Sequence, residues 1–343
     1  MSFIRLSNGR RIGDYLRPYF VAEMNTSHFG NLEVAKSMID QANDAGCDCV
    51  KFQSWSADTL YCDSYYEENK MAKRVFAKFS LSGNQLKELA AYAKDKELDF
   101  ASTPYSIEEA RFLIEDCDVP FIKIASMELN NTPYLTKLGH LGVPLVLSTG
   151  MGTLEEIAMA LETIRLTGNE NIVILHCTSL YPSPPNIIRL QNIMGLRNEF
   201  PQYPIGYSDH SHGIEIPTAS IAMGASLIEK HFTLDRSRIG MDNHMASEPD
   251  EMRAMIESCN KVYESMGGLD RLLSQEEKEQ SSKMRRSMIA RKDISSGHAL
   301  DDKDIEYKRP GFGIPPSETS LYIGKKLSRS ISAGNIIYSS DFE

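Results

Sequence analysis

The chain has 343 residues, 41% of them hydrophobic and 24% charged, with a formal net charge of -10. This balance supports a large buried core and argues against disorder, and the negative charge argues against a nucleic-acid partner, whose phosphates need clustered Lys and Arg. One Trp, Trp55, and 8% aromatic residues give no stacking platform for single strands, so a small anionic substrate in a local basic pocket is the remaining polar option.

From residue 19 onward, short β-rich runs alternate with amphipathic helical stretches. Strands are expected at 19–25, 49–54, 99–103, 120–125, 144–148, 171–177, 205–208 and 226–231, with helices at 31–45, 85–96, 107–115, 132–141 and 153–166. Gly46 reads as a helix stop, and Thr153 with Glu156 as a capping box. Eight strands in about 250 residues is the count for a (β/α)₈ TIM barrel of class α/β. An open doubly wound sheet loses weight because no GxGxxG follows the first strand. The expected division is a catalytic barrel at 1–268, a charged linker at 269–286, and a small β-rich domain at 287–343 with strands at 287–290, 305–308 and 336–339. Two phrases in that tail echo each other, Lys292 to Gly297 and Ser330 to Gly334. A domain of this size is marginal alone and is expected to lean on another surface.

No run of about 18 apolar residues occurs, which excludes a spanning helix, and the first twelve residues lack a signal-peptide core. The six cysteines, Cys47, Cys49, Cys62, Cys117, Cys177 and Cys259, form no CxxC pair. They read as thiols of a reducing compartment, so a cytoplasmic protein is expected.

Polar residues gather near the C-terminal ends of the expected strands, where barrel enzymes place their chemistry. Within a strand, residues of equal parity face the same side. Glu23 with Asn25, Lys51 with Gln53, Ser208 with His210, and Glu229 with His231 each share parity. His210 and His231 on neighbouring strands suit a shared divalent metal. Lys51 and Lys123 would repel each other unless they met an anion, while Lys230, of opposite parity to His231, faces away. Hydroxyls at Thr103, Ser126, Ser148, Ser179 and Ser208 make a candidate phosphate cradle. A buried lysine also admits a Schiff-base pyruvate lyase or aldolase, and a degenerate barrel kept as a binding scaffold is the non-enzymatic alternative. Cys47 and Cys49 read as core, and Met151, Met159, Met245, Met252 and Met255 as packing.

The chain resembles the sialic acid (nonulosonate) synthases. The phrases that carry the likeness include Ala22-Glu23, Ser27-His28-Phe29-Gly30, Val50-Lys51-Phe52-Gln53, Ser102-Thr103-Pro104-Tyr105 and Lys123 to Glu128. Leu147 to Met151, His176 to Pro182, Gly206-Tyr207-Ser208-Asp209-His210, Ile228 to Asp235 and Lys308-Arg309-Pro310-Gly311 extend it over nearly the whole chain. The resemblance implies condensation of phosphoenolpyruvate with an N-acetylated amino sugar, either N-acetylmannosamine or a diacetamido sugar of the legionaminate or pseudaminate type, with release of phosphate. It implies that His210 and His231 hold a divalent metal, chiefly Mn²⁺, with Mg²⁺ or Co²⁺ as alternatives. Lys51, Thr103, Lys123, Ser126, Ser148, Ser179 and Ser208 would hold phosphoenolpyruvate, and Gln53, Tyr181, Asp242 and Arg309 the sugar. Glu23 or Glu128 would orient the sugar or the water. The tail would be an antifreeze-like (SAF, β-clip) domain that crosses to the partner of a homodimer and brings Arg309 to the sugar's N-acetyl group. Three positions depart from the family pattern: Ser27, Met127 and the segment Gly240 to Ser247, where Met241 replaces a proline and one residue is added.

Overall fold

Eight parallel strands close into a barrel in the computed structural model, which describes residues 2–268 and 270–343. Two compact units are present, Met1–Gly267 and Gly268–Glu343. The first begins with an antiparallel hairpin, β1 (Phe3–Arg5) and β2 (Arg11–Gly13). The barrel follows in chain order: β3 (Tyr19–Glu23), β4 (Cys49–Ser54), β5 (Asp99–Pro104), β6 (Ile122–Ile124), β7 (Leu145–Ser148), β8 (Ile172–Cys177), β9 (Ile205–Asp209) and β10 (Leu227–His231). Pairing of β10 with β3, from Leu227 against Tyr19 to His231 against Glu23, closes the ring.

Each strand has two apolar-to-polar faces because its neighbours require it. Outward residues such as Phe20, Phe52, Ile124, Leu147, Ile174 and Ile228 pack under the helices in the main core. Inward residues are apolar at the N-terminal end of the barrel, where Val21, Cys49, Ala101, Phe121, Val146, Val173 and Leu227 meet Ile4, Leu6 and Ile12 of the hairpin region. The hairpin therefore plugs the bottom of the barrel and leaves the opposite end for polar side chains. Gly206 on β9 shows how tight the wall is: a Cβ there would lie 2.6 Å from Leu175 Cδ2 and 2.7 Å from the Leu227 carbonyl.

The expected helices form. Gly46 ends Leu32–Ala45 in the left-handed region (φ 90°), its N–H bonded to the Ala42 and Asn43 carbonyls, and Thr153 and Glu156 make a reciprocal cap on Leu154–Arg165. Sequence periodicity did not mark the β1–β2 hairpin, the helical insertion Ala57–Leu60, Asp63–Glu68 and Lys70–Phe79, or the helix Pro249–Ser265. Met245, Met252 and Met255 are buried as expected, but Met151 and Met159 are 72% and 60% exposed and do not serve as packing. All six cysteines are free, and Cys47 and Cys49 are buried. Among the described residues no helix is long and apolar enough to cross a membrane.

In the second unit, β11 (Ser287–Ala290) pairs antiparallel with β12 (Ile305–Lys308) over a core that includes Met288, Ile294, Leu300, Ile305, Leu327, Ile331 and Ile337. The strand expected at 336–339 is absent: Ile336 makes one bridge to Ile289, and the chain then turns into a 3-10 segment at Ser339–Asp341. The two echoing phrases meet, since Ile294 and Ile331 exchange both backbone hydrogen bonds at 2.8 Å. Each phrase then turns at a glycine of positive φ, Gly297 and Gly334. The charged stretch before this domain contains the helix Gln275–Met284, with no buried residue.

Candidate active site at the C-terminal end of the barrel

Strand register brings most of the predicted residues to one cavity of about 320 Å³ at the open end of the barrel. Glu23 pairs across with both Lys51 and His231, Gln53 with Thr103, and Ser208 with Glu229. Neighbouring partners face the same side, so all of these point inward. The lining contains Glu23, Lys51, Gln53, Thr103, Lys123, Ser126, Ser148, Ser179, Tyr181, Ser208, His210, His231 and Asp242. Glu128 does not line it: that residue lies on the 3-10 turn Ser126–Glu128 and accepts a 2.7 Å bond from Asn131. Arg309 belongs to the second unit, before a cis bond to Pro310.

The lysines do not wait for an external anion. Lys51 Nζ pairs with Glu23 and lies 3.8 Å from Glu229 Oε2, while Lys123 Nζ lies 3.9 Å from Glu229 Oε1. Glu229 thus bridges the two cations, and Ser208 donates to it at 3.1 Å. Its parity with His231 was legible, yet its role at the centre of the cluster was not. Lys51 also donates to Thr103 (3.3 Å), and Lys123 to Ser148 (2.6 Å) and the Ile124 carbonyl (3.2 Å). These groups are buried, so their proton affinities are displaced. Burial pushes the Glu23 carboxyl up against the pull of Lys51. Burial would also raise Glu229, but Lys123 and Lys51 hold it low. Lys51 is raised because Glu229 and Glu23 overcome the effect of burial, whereas for Lys123 burial prevails and lowers it.

Glu23 is oriented from behind. Its Oε1 accepts from Gln53 Nε2 (2.9 Å) and from the Asn25 N–H (3.1 Å), and Trp55 in turn donates to Gln53 Oε1 at 2.9 Å. Asn25 sits just past β3 at φ 41° and donates to Asp242 Oδ2 at 2.8 Å, tying the 240–247 segment to the first barrel strand.

The rings of His210 and His231 are perpendicular, with centroids 5.4 Å apart, and Tyr181 lies against His210 at 4.2 Å. His210 Nδ1 is 2.8 Å from the Thr178 carbonyl. A carbonyl only accepts, so Nδ1 carries a proton and Nε2 is the nitrogen free to ligate. Burial, reinforced by His210 and nearby lysines, holds His231 well below the usual imidazole range, in the neutral form that a metal requires. Cys177, read from the sequence only as one of six unpaired thiols, lies 3.9 Å from His210 Nδ1. Burial opposes charge on both, but the contact favours thiolate with imidazolium, lowering the thiol and raising the imidazole. No cluster of three His, Cys, Asp or Glu suited to a metal occurs among the described residues. Two imidazoles alone would leave the remaining positions of a bound divalent ion to water or substrate, the pattern of an open site and not of a closed structural one.

A small-residue cradle lies opposite. Gly150 N–H donates to Ser126 Oγ at 3.0 Å, and a Cβ at Gly150 would lie 2.8 Å from that hydroxyl and collide with Ser179 Oγ. A larger cavity of about 660 Å³ adjoins it and shares Met151, Cys177 and Ser179, but neither lysine nor either histidine of the pair lines it.

Lys230 faces away from the cavity, as its parity requires, and is 2% exposed. Its ammonium pairs with Asp209 and donates to the Ser211 carbonyl at 2.7 Å. Asp209 also accepts from Tyr207 Oη (2.9 Å), the Ser211 N–H (3.0 Å) and Ser211 Oγ (2.7 Å).

Comparison with known proteins agrees with this layout. Residues 38–271 match the model of the NeuB family, and residues 285–343 match the SAF domain. The N,N'-diacetyllegionaminic acid synthase of Legionella pneumophila is 35% identical over 338 residues, covering 95% of this chain and 94% of that protein. The N-acetylneuraminate-9-phosphate synthase of Homo sapiens is 32% identical, covering 94% and 92%. Among solved structures, the N-acetylneuraminic acid (sialic acid) synthetase of Leptospira borgpetersenii superposes with a TM-score of 0.75 at 30% identity, over 81% of this chain and 95% of that one.

Proposed function

The chain belongs to the NeuB family, a family of condensing synthases, and from that premise we propose that it joins phosphoenolpyruvate to an open-chain N-acetylated amino sugar, giving a nonulosonic acid and phosphate. The observation that carries the reading is the single cavity in which two lysines, a ring of hydroxyls and two imidazoles converge. Lys51 and Lys123, with Ser148, Thr103 and the Ser126–Gly150–Ser179 cradle, hold the phosphate and carboxylate of phosphoenolpyruvate. The two ammonium groups already lie within 4 Å of Glu229, so the incoming anion competes with that carboxylate for them.

His210 and His231 would hold the divalent ion, manganese by the family resemblance, which supplies Lewis acidity toward the sugar aldehyde. C3 of phosphoenolpyruvate forms the new carbon–carbon bond with the aldehyde carbon, whose oxygen takes up a proton. Water then adds to the cationic C2 and loses a proton, and the tetrahedral intermediate expels phosphate by breaking the C–O bond. Glu23, fixed by Gln53 and the Asn25 N–H and raised by burial, is placed to orient that water or the sugar and to take the proton. Gln53, Tyr181 and Asp242 face the sugar.

The SAF domain crosses to a second copy and contributes Arg309 there, so the working unit is a homodimer. Its charge supports this placement: residues 285–343 carry ten basic and eight acidic side chains in a chain of formal charge -10, which suits docking on an acidic barrel. The test is mass analysis of the product from phosphoenolpyruvate, manganese and a panel of amino sugars. A nine-carbon keto acid supports the reading. A lysine adduct trapped by borohydride with pyruvate, formed without metal, would identify a Schiff-base lyase in its place.

A further inference from the structure

This inference rests on the synthase reading and concerns Asn25, whose side chain the mechanism above does not use. Strand β3 ends at Glu23, and two residues later the backbone enters the left-handed region at φ 41°. Glycine adopts that conformation most freely; among other residues asparagine tolerates it, at a cost that its contacts must offset. Asn25 is 5% exposed and lines the cavity. The turn folds its N–H back onto Glu23 Oε1 at 3.1 Å, while its side-chain Nδ2 donates to Asp242 Oδ2 at 2.8 Å and lies 3.5 Å from His231 Nδ1. One residue thus touches both carboxylates assigned to the sugar and one imidazole of the pair.

Asp242 sits on the loop that departs from the family pattern. The backbone closes the stem of that loop: the Thr233 N–H donates to the Ser247 carbonyl at 3.0 Å, and the Ser247 N–H to the His231 carbonyl at 2.8 Å. Within the loop, Asn243 donates to the Asp235 and Arg238 carbonyls, both at 2.8 Å. Arg238 ties the loop to the segment after β3, its guanidinium 3.8 Å above the Phe29 ring, but neither residue lines the cavity. The Asn25–Asp242 bond is a second tie, and both of its members do line it. It engages Oδ2 and leaves Oδ1, which among the described residues has no hydrogen-bond partner, to accept from a hydroxyl or N–H of the sugar.

We propose that Asn25 is a positioning residue for the sugar: it holds the 240–247 loop against the barrel so that Asp242 and Glu23 present their carboxylates in one fixed arrangement. A buried amide donating to a carboxylate makes a strong, charge-assisted bond, and a loop ordered beforehand spares the sugar the cost of ordering it. The effect belongs to the sugar alone. The groups assigned to phosphoenolpyruvate stand on β4 to β7, where Lys51 bonds to Thr103 and Lys123 to Ser148, and Asn25 takes no part in those contacts.

Asn25→Gly keeps the turn and removes the amide, so its thermal midpoint should stay close to the parent's. Phosphate release is measured with phosphoenolpyruvate, manganese and either N-acetylmannosamine or a diacetamido sugar, whichever the parent turns over faster. In Asn25→Gly the KM for the sugar should rise about ten- to a hundredfold, the equivalent of one hydrogen bond to a charged group, and that for phosphoenolpyruvate by less than about threefold. Asn25→Asp sets two carboxylates against each other and should do more harm. Adding Asp242→Asn rebuilds the pair in reverse, with the amide at 242 donating to the carboxylate at 25 and its carbonyl oxygen left for the sugar. The KM for the sugar should then fall back by about tenfold or more from that of Asn25→Asp alone. Equal rises in both KM values, no rise in either, or a reversed pair no better than Asn25→Asp overturns the proposal. So does a loss confined to manganese affinity, measured by direct titration, which would make Asn25 a support of His231 only. If no sugar supports release by the parent, the synthase reading fails, and hydrogen exchange of residues 240–247 decides the positioning role by itself. Exchange there must rise in Asn25→Gly and Asn25→Asp and fall back in the reversed pair; unchanged exchange overturns it.

Discussion

Strand β10 carries buried charge on both faces, and the two faces differ in what their charges lack. Outside the barrel, Lys230 and Asp209 are surrounded by Ser211 and Tyr207, and each has several partners at hydrogen-bond distance. Inside, Glu23 pairs closely with Lys51, but Glu229 lies 3.8 Å from Lys51 and 3.9 Å from Lys123, beyond hydrogen-bond reach of either ammonium. Burying a charge is expensive on either face. A network that is fully satisfied serves the fold; one left under-satisfied beside a cavity is free to exchange its partners for a ligand.

That contrast makes separable predictions. The largest effect belongs to the imidazoles on the inner face: His210→Ala or His231→Ala should cut metal-dependent turnover by about a thousandfold or more, the scale of a lost Lewis acid, while circular dichroism shows the fold intact. Manganese affinity equal to the parent's in the double variant would place the metal elsewhere. On the outer face, Lys230→Met leaves Asp209 buried without its partner and should cost about 3–5 kcal/mol of stability, read by urea unfolding. Adding Asp209→Asn should restore most of that loss, and phosphoenolpyruvate affinity in the folded protein should change little. Unchanged stability with weakened phosphoenolpyruvate binding would merge the two faces into one functional network.

Lys51→Met and Lys123→Met should each weaken phosphoenolpyruvate by about 2–5 kcal/mol, seen as a larger rise in apparent KM for that substrate than for the sugar. The opposite order would hand the lysines to the sugar. The smallest effect is a pH dependence in the buried segment that follows β3. His28 is 2% exposed, and burial lowers its imidazole to about 4 from the usual 6.5. The unfolded chain therefore takes the proton first, so His28's contribution is complete above about pH 6.5 and declines by about 1–3 kcal/mol as the pH falls toward 4. Unfolding curves for the parent and His28→Gln should converge over that window, and a constant gap would deny the effect.

Much of this contrast was legible in residue parity. The period of two placed Glu23, Lys51, His210 and His231 on the inner face and Lys230 on the outer one, because a closed barrel allows a side chain only two directions. The same rule pointed at Glu229, but a carboxylate between two lysines is visible only once strands β4, β6 and β10 are brought together across the lumen. The β1–β2 hairpin was missed because three-residue strands carry too few alternations to register, although its Ile4 and Ile12 close the barrel floor. Met151 and Met159 were misread as packing because hydrophobicity alone does not tell a core face from an exposed one. That the 57–79 insertion reaches the cavity is visible only in three dimensions, where Tyr61 and Phe76 join its lining. Glu128 matched the family motif, yet its side chain is held by Asn131 away from the cavity lining, an orientation no spacing rule contains.

The central claim is that the inner cluster of the barrel is a metal-dependent condensation site for phosphoenolpyruvate. Its most direct test is phosphate release from phosphoenolpyruvate with manganese, measured with and without an N-acetylated amino sugar and again after a chelator. Release that requires the sugar and stops with the chelator is the predicted result. Release that proceeds without the sugar, or is untouched by the chelator, would contradict it.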